Sequence, residues 1–270
     1  GVDPPSDLAV LKVEADALST LDFGSSAAVR VGDVVLAVGN PLGVGQTVTM
    51  GIISAKGRAT GAGNGSFEDF LQTDAPINQG NSGGALVNTG GELVGINTQI
   101  LSPSGGNIGI GFAIPADMAR GVMAQLIAGG EVRRGMLGVT VQAVTAEIAE
   151  SLGLSEVQGA LVNEVRSEGP AGRAGVQRGD LITGIDGHAV QDGNDLRNRV
   201  SQARPGTTVD LSIRRDDSTH VVSITLGLLP GPRTAAARFE DPQREATLGM
   251  SVRPLAPELA RSLDLPDDHD

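Results

Sequence analysis

From Asp7 to about residue 114, apolar residues come in short runs separated by glycine-rich turns, not at three- and four-residue intervals. That pattern predicts strands, at residues 8–13, 34–38, 47–55, 93–100 and 108–114. The period changes at Pro115, where Met118, Val122 and Leu126 recur four apart and Gly129-Gly130 follows as a C-cap, so a helix closes the first domain. Residues 136–227 return to short strands with two helical patterns. One follows the N-cap candidate Thr145, the other lies around 194–203, and Asp186-Gly187 reads as a hairpin turn. A β domain followed by a compact α+β module is expected. Residues 228 to about 246, rich in Pro, Ala and Arg and without periodicity, read as a mobile linker.

The α+β module begins twice. Leu137-Gly-Val-Thr-Val through Leu154 aligns without gaps on Leu248-Gly-Met-Ser-Val through Leu265, with eight of eighteen positions identical. The second copy breaks off at Asp270. Two dozen residues bury no core of their own, so the natural protein is expected to continue.

Composition narrows the function. A chain of 270 residues with 40% hydrophobic and 19% charged residues has room for about two packed domains. A net charge of −12 disfavours nucleic acid and anionic lipid, which are bound by basic patches. No apolar run approaches the roughly 20 residues that span a bilayer, so no membrane insertion is expected. The absence of cysteine removes disulfides, thiol nucleophiles and most zinc sites, and no glycine-rich stretch runs into Lys-Ser/Thr as a phosphate loop does. No cofactor and no metal site is expected.

The chemistry concentrates at Gly80-Asn81-Ser82-Gly83-Gly84. A serine between glycines on a tight loop exposes its hydroxyl while neighbouring N–H groups face one point, the shape of a nucleophile beside an oxyanion hole; the alternative is a plain glycine turn. Such a serine needs a base, and the base needs an orienting carboxylate. Asp7, at the start of an apolar run, is the candidate carboxylate, the alternative being an exposed acid at a strand end. The three histidines, His188, His220 and His269, all lie far downstream of Ser82. His188 reads as a turn residue, His220 as a surface strand residue and His269 as part of a solvated tail.

Asp74-Ala-Pro-Ile-Asn-Gln-Gly-Asn-Ser-Gly-Gly-Ala-Leu86, with Ser6-Asp-Leu-Ala-Val10 and Gly105-Gly-Asn-Ile-Gly-Ile-Gly-Phe-Ala-Ile-Pro115, resembles the HtrA/Deg family of chymotrypsin-fold serine proteases over nearly the whole chain. The resemblance implies a mainly β fold: a double β-barrel protease domain at 1–131 with its first barrel incomplete, a PDZ domain at 134–229, a linker at 230–246 and the start of a second PDZ domain at 247–270. It implies Ser82 as nucleophile, Asp7 as orienting acid, the N–H groups of Gly80 and Ser82 as oxyanion hole, and a histidine upstream of Asp7. Without that histidine the 270 residues are expected to be inactive. It also implies a specificity pocket walled by Ile100 and Ile110, for small aliphatic residues. Pro76 stands where a trypsin carries the acid that receives Lys or Arg, and Asn81 replaces the aspartate that pairs with a newly cut N-terminus. Control is therefore expected from ordering of the loops around 78–81 and 101–107, not from propeptide cleavage.

Met136-Leu137-Gly138-Val139 resembles the carboxylate-binding loop of a PDZ domain, with Arg134 placed to add charge. Leu196, Val200 and Arg199 have the spacing of a groove wall, which is equally that of a core face. The family likeness implies an ATP-independent endopeptidase of protein quality control acting on unfolded polypeptides, peptide C-termini as PDZ ligands, a periplasmic location and homotrimers or larger assemblies. The competing expectation is a non-catalytic PDZ scaffold or holdase.

Overall fold

Short apolar runs leave backbone N–H and C=O groups that need partners, and six of them satisfy one another in a closed barrel. A computed structural model describes residues 1–230 except 44, 62–65, 103–105, 155 and 217. Two short strands, β1 (Val2–Asp3) and β2 (Leu8–Ala9), form a hairpin around a 3-10 turn at Pro4–Ser6. The barrel strands are β3 (Val34–Gly39), β4 (Thr47–Arg58), β5 (Phe70–Thr73), β6 (Ala85–Asn88), β7 (Leu93–Ile100) and β8 (Gly111–Pro115). They close antiparallel in the order β3-β4-β5-β8-β7-β6. Val35, Ala37, Ile53, Leu71, Leu86 and Val94 fill the interior.

Helix α1 (Ala116–Gly129) follows directly and buries Met118, Val122 and Leu126, as their spacing predicts. Gly130, at φ +75, closes it with its N–H on the Leu126 carbonyl. The PDZ half continues with β9 (Gly135–Met136), β10 (Val139–Ala143), α2 (Ala146–Ser151), β11 (Ala160–Val165), α3 (Pro170–Arg173), β12 (Leu181–Ile185), β13 (His188–Ala189), α4 (Gly193–Gln202), β14 (Thr208–Arg215), β15 (Ser218–Thr225) and β16 (Gly227–Leu228). Its main sheet runs β10-β11-β12-β14-β15, β13 pairs with β12, and β16 pairs with β9. Leu137, Val162, Ile182, Leu211, Ile213 and Ile224 form the core. Thr145 caps α2 through its side chain, as expected, and Asp186 (φ 49) and Gly187 (φ 76) make the hairpin turn between β12 and β13.

Two expected strands differ. The run at 8–13 is a strand only over Leu8–Ala9; beyond it no described strand pairs, and Leu11 and Val13 are exposed. The run at 108–114 begins at Gly111, because Gly109 takes φ +88 with its N–H on the Asn107 side chain. Strands β5 and β6 escaped the periodicity, since four residues beside a loop carry too little pattern. The expected linker at 230–246 and second-module start at 247–270 lie outside the described residues, Pro230 apart.

Helix α1 has no side-chain N-cap of its own, because Pro115 occupies that position. Ser26, 91 residues earlier, supplies the cap: its hydroxyl accepts from the Asp117 N–H at 3.1 Å and donates to the Asp117 carboxylate at 2.8 Å, which also takes the Ala27 N–H. Burial alone would raise the Asp117 carboxyl, but the Ser26 hydroxyl, the Ala27 N–H and Arg120 outweigh it and hold it below the usual range. A carboxyl lowered in this way stabilises the fold above its ordinary value and loses that contribution as pH falls through the lowered one. Asp117→Asn is expected to lose about 1 kcal/mol at pH 7. In urea titrations its deficit against the wild-type chain should shrink as pH drops beneath 3.8.

Candidate active site

The loop that carries Ser82 lies flush against strand β3. A Cβ on Gly84 would sit 2.0 Å from the Val38 carbonyl oxygen, and one on Gly39 would sit 2.4 Å from Asn81 Oδ1. Only glycine permits that approach. Gly80 (φ +101) and Gly83 (φ +83) supply the left-handed turns, the Gly83 N–H bonds the Asn97 carbonyl at 2.7 Å, and the Asn97 N–H returns to the Gly84 carbonyl at 2.9 Å. Strand β7 thus clamps both sides of the loop. Ser82 is exposed at its tip, and among the described residues neither its N–H nor that of Gly80 has a hydrogen-bond acceptor.

Asp7 and Ser82 meet at one residue. The Ser82 hydroxyl donates to the Thr98 carbonyl at 2.6 Å, and the Thr98 hydroxyl donates to Asp7 Oδ2 at 2.8 Å. Both groups are exposed on this side. Asp7 ends the 3-10 turn in the left-handed region, at φ 55, which Asp tolerates better than most residues. Its N–H bonds the Pro4 carbonyl. His188 on β13 and His220 on β15 make no hydrogen bond to Ser82 or Asp7, and His269 lies outside the described residues.

Thr98 and Asn97 were not singled out in the sequence. The signal was available, because adjacent polar residues interrupt the otherwise apolar strand Leu93–Ile100. Asn97 is 1% exposed and donates through Nδ2 to the Val38 and Ala85 carbonyls. Asn81 is likewise buried, its Nδ2 on the Pro76 carbonyl at 3.4 Å and its Oδ1 without a partner among the described residues. A neutral amide fills this place with no charge to compensate. Asn78 and Asn107 join the two neighbouring loops, Asn107 N–H to Asn78 Oδ1 at 3.1 Å and Asn107 Nδ2 to the Ile77 carbonyl at 2.9 Å. Ile100 and Ile110 are linked through the Leu101 N–H on the Ile110 carbonyl, yet Ile100 leans on the barrel interior and Ile110 on Phe70, Phe112 and Ile114.

The PDZ side presents a cavity of about 350 Å³ between β10 and α4. Met136, Leu137, Val139, Leu196 and Val200 line it, and Leu137, Leu196 and Val200 belong to the core as well, so both readings of the α4 spacing hold. Gly138, at φ +81, makes the turn of the loop. Arg199 faces elsewhere, paired with Asp195. Arg134 does not line this cavity. Its guanidinium is buried against the protease half, bidentate to Asp3 at 2.9 and 2.5 Å and stacked 4.4 Å from the Phe67 ring. Arg197 covers the same ring at 4.5 Å.

Glu68 joins the two halves by another route. Its carbonyl accepts from Asn194 and Asn198 of α4, at 2.8 and 2.7 Å. Its carboxylate holds the base of the loop before β5, taking the N–H groups of Thr60 and Gly61 and the hydroxyls of Thr60 and Ser66. Burial would raise this carboxyl; those donors more than offset it and leave it lowered.

Residues 1–96 match the family model described as a trypsin-like peptidase domain, and residues 135–226 match the PDZ domain model. The chain is 51% identical to the HtrA-type protease AlgW, solved with a tripeptide, at a TM-score of 0.70, with 85% of this chain and 76% of that one covered. The chain belongs to the HtrA family. AlgW solved with a decapeptide is similar to this HtrA chain at a TM-score of 0.66, over 86% of this chain and 71% of that one. Among curated relatives, a protein described as probable periplasmic serine endoprotease DegP-like from Rhizobium meliloti (strain 1021) is 48% identical over 94% of this chain and 52% of its own length. One with the same description from Chlamydia trachomatis serovar D is 44% identical over 99% of this chain and 52% of its own length. The chain spans about half the length of the curated relatives it matches. It is mainly β, a trypsin-like domain followed by a PDZ domain. Among the described residues no group of His, Asp and Glu could hold a metal ion, and no helix is long and apolar enough to cross a membrane.

Gly84→Ala drives a methyl group into the Val38 carbonyl. It is expected to cost more than about 2 kcal/mol, read as a lower urea midpoint, because the barrel strand behind it has no room to yield.

Proposed function

We propose that the intact protein is a serine endopeptidase in which the Ser82 hydroxyl attacks the scissile carbonyl and Asp7 orients the histidine that takes its proton. That histidine comes from outside these 270 residues, and the 270 residues alone are inactive. What carries the reading is the meeting of Ser82 and Asp7 on the two ends of Thr98, at 2.6 and 2.8 Å. The tetrahedral oxygen is received by the N–H groups of Gly80 and Ser82, which have no other acceptor among the described residues. Collapse of that intermediate releases the amine product and leaves an acyl group on Ser82, which water then removes with the same histidine as base. Ile100 and Ile110 select small aliphatic residues before the cleaved bond, loosely, since a methylene is worth only about 1–3 kcal/mol of discrimination.

The substrates are unfolded polypeptides, and the PDZ groove takes peptide C-termini. Support comes from the apolar cavity between β10 and α4, from the glycine turn at Gly138 beside it, and from the AlgW structures that contain peptides. The relatives described as periplasmic support a periplasmic location, and homotrimers or larger assemblies fit the family.

In full-length protein, a fluorophosphonate probe is expected to label the wild type and not Ser82→Ala; equal labelling of both removes Ser82 from the mechanism, and no labelling of either favours a scaffold or holdase. Asp7→Asn is expected to lower turnover of an unfolded protein substrate by a factor on the order of 10⁴ with little change in KM, since the base loses its orientation. For the PDZ groove, Leu196→Asp is expected to weaken binding of a peptide with a free apolar C-terminus at least about tenfold, by burying an unpaired charge. The amidated peptide should not bind the wild type, as isothermal titration would show.

A further inference from the structure

The two domains face each other across a cavity of about 760 Å³, and carboxylates concentrate on both its walls. Asp69 stands on the protease side, immediately after the Glu68 carbonyl that accepts the two α4 amides. The hydrogen bonds that dock the PDZ domain therefore carry Asp69 toward α4. From α4 it faces Asp195 and Arg199, paired with each other at 2.6 Å, and Asp192, whose carboxylate caps the helix on the Asp195 N–H. From β4 it faces Lys56 and Arg58. The Lys56 ammonium is already held by the Ala27 and Val29 carbonyls, and Arg58 Nε by Gln72. From α1 the cavity receives Asp117, engaged by Ser26 and Arg120, and from β13 it receives His188. The Asp69 carboxylate itself accepts no hydrogen bond among the described residues. Asp192 and Asp195 thus crowd Asp69, with Arg199 and Lys56 as the opposing charges.

We propose that Asp69 makes the contact between the protease and PDZ domains proton-dependent, the two holding together more tightly once its carboxyl is protonated. The proposal concerns the domain contact and stands whether or not Ser82 is a nucleophile. Burial first, and then repulsion from Asp195, pushes Asp69 up to about 6, with Arg199 and Lys56 acting the other way and Asp192 adding to the repulsion. A carboxyl raised in the docked arrangement favours docking as pH falls through about 6. The gain is complete below the ordinary value of 3.8 and lost above about 6. Between pH 7.5 and pH 5 the docking equilibrium is expected to shift about tenfold toward the closed arrangement.

The chain contains no cysteine, so donor and acceptor dyes can be attached at Arg30→Cys and Gln142→Cys, exposed positions on the two domains. Adding Asn198→Ala removes one of the two docking amides and is expected to weaken the docked arrangement, so that its pH dependence can be read. Energy transfer in the full chain is expected to rise between pH 7.5 and pH 5. Asp69→Asn, checked for folding by far-ultraviolet circular dichroism, should give the high value at both pH values. His188→Gln should behave as the wild type. A full pH response in Asp69→Asn, its loss in His188→Gln, or no response in the wild type would each overturn the proposal.

Discussion

A buried ion pair fixes both the candidate site and the domain arrangement. Asp3 and Arg134, 5% and 8% exposed, bond through two parallel N–H···O contacts, and the Ser6 hydroxyl adds a third donor to the same carboxylate. Asp3 belongs to the hairpin that presents Asp7, and Arg134 immediately precedes the loop of the PDZ groove. Among the described residues neither charge has another ion-pair partner, so removing one leaves the other buried and uncompensated, at about 3–5 kcal/mol. That is a large part of the stability of an ordinary domain. The hairpin at residues 2–9, too short to hold itself, keeps its place over Thr98 through this pair and through the Phe67 N–H on the Pro5 carbonyl.

Around that anchor, the two halves of the molecule share residues. Phe67 lies between two guanidinium groups and lines the PDZ cavity, and Glu68 holds a protease loop with its side chain while receiving α4 with its carbonyl. Gln99, next to Thr98, donates to the Thr60 hydroxyl, which in turn bonds Glu68. Hydrogen bonds through Glu68 and Thr60 therefore link the PDZ helix to Gln99, the chain neighbour of the residue on which Ser82 and Asp7 meet. Such a path makes it physically reasonable for occupancy of one domain to be felt in the other, provided some element in it has two arrangements. The acidic cavity beside Asp69 lies along that contact.

Much of this was legible beforehand. The glycines around Ser82 marked a tight loop that exposes its hydroxyl, and the close approach of Gly84 to the Val38 carbonyl shows why that position admits no side chain. The four-residue spacing of Met118, Val122 and Leu126 placed α1, and the repeated Leu-Gly marked the start of the PDZ module. The short strands β5 and β6 stayed hidden because their partners, not their own pattern, make them strands. The run at 10–13 misled for the same reason in reverse: its apolar residues have strand character and no described strand to pair with. Arg134 looked like a free charge beside a carboxylate loop, and its nearness to Asp3, 131 residues away, was invisible in one dimension.

The sequence by itself determined the fold class, the order of the domains, the nucleophile loop and the pairing of Ser82 with Asp7 as candidates. The β domain, the α+β module and the glycine loop follow from local steric demands, left-handed turns that require glycine and periods that match a helix or a strand; the domain identities and the roles of Ser82 and Asp7 came from the resemblance to the HtrA/Deg family. Only the tertiary structure decided that Thr98 joins the two candidates, that Arg134 is committed to Asp3, and that Asp69 faces Asp195. Those relations depend on barrel closure and domain docking, which bring together residues separated by 91 to 131 positions, and hydrogen bonds and charges act over a few ångströms of space regardless of separation along the chain.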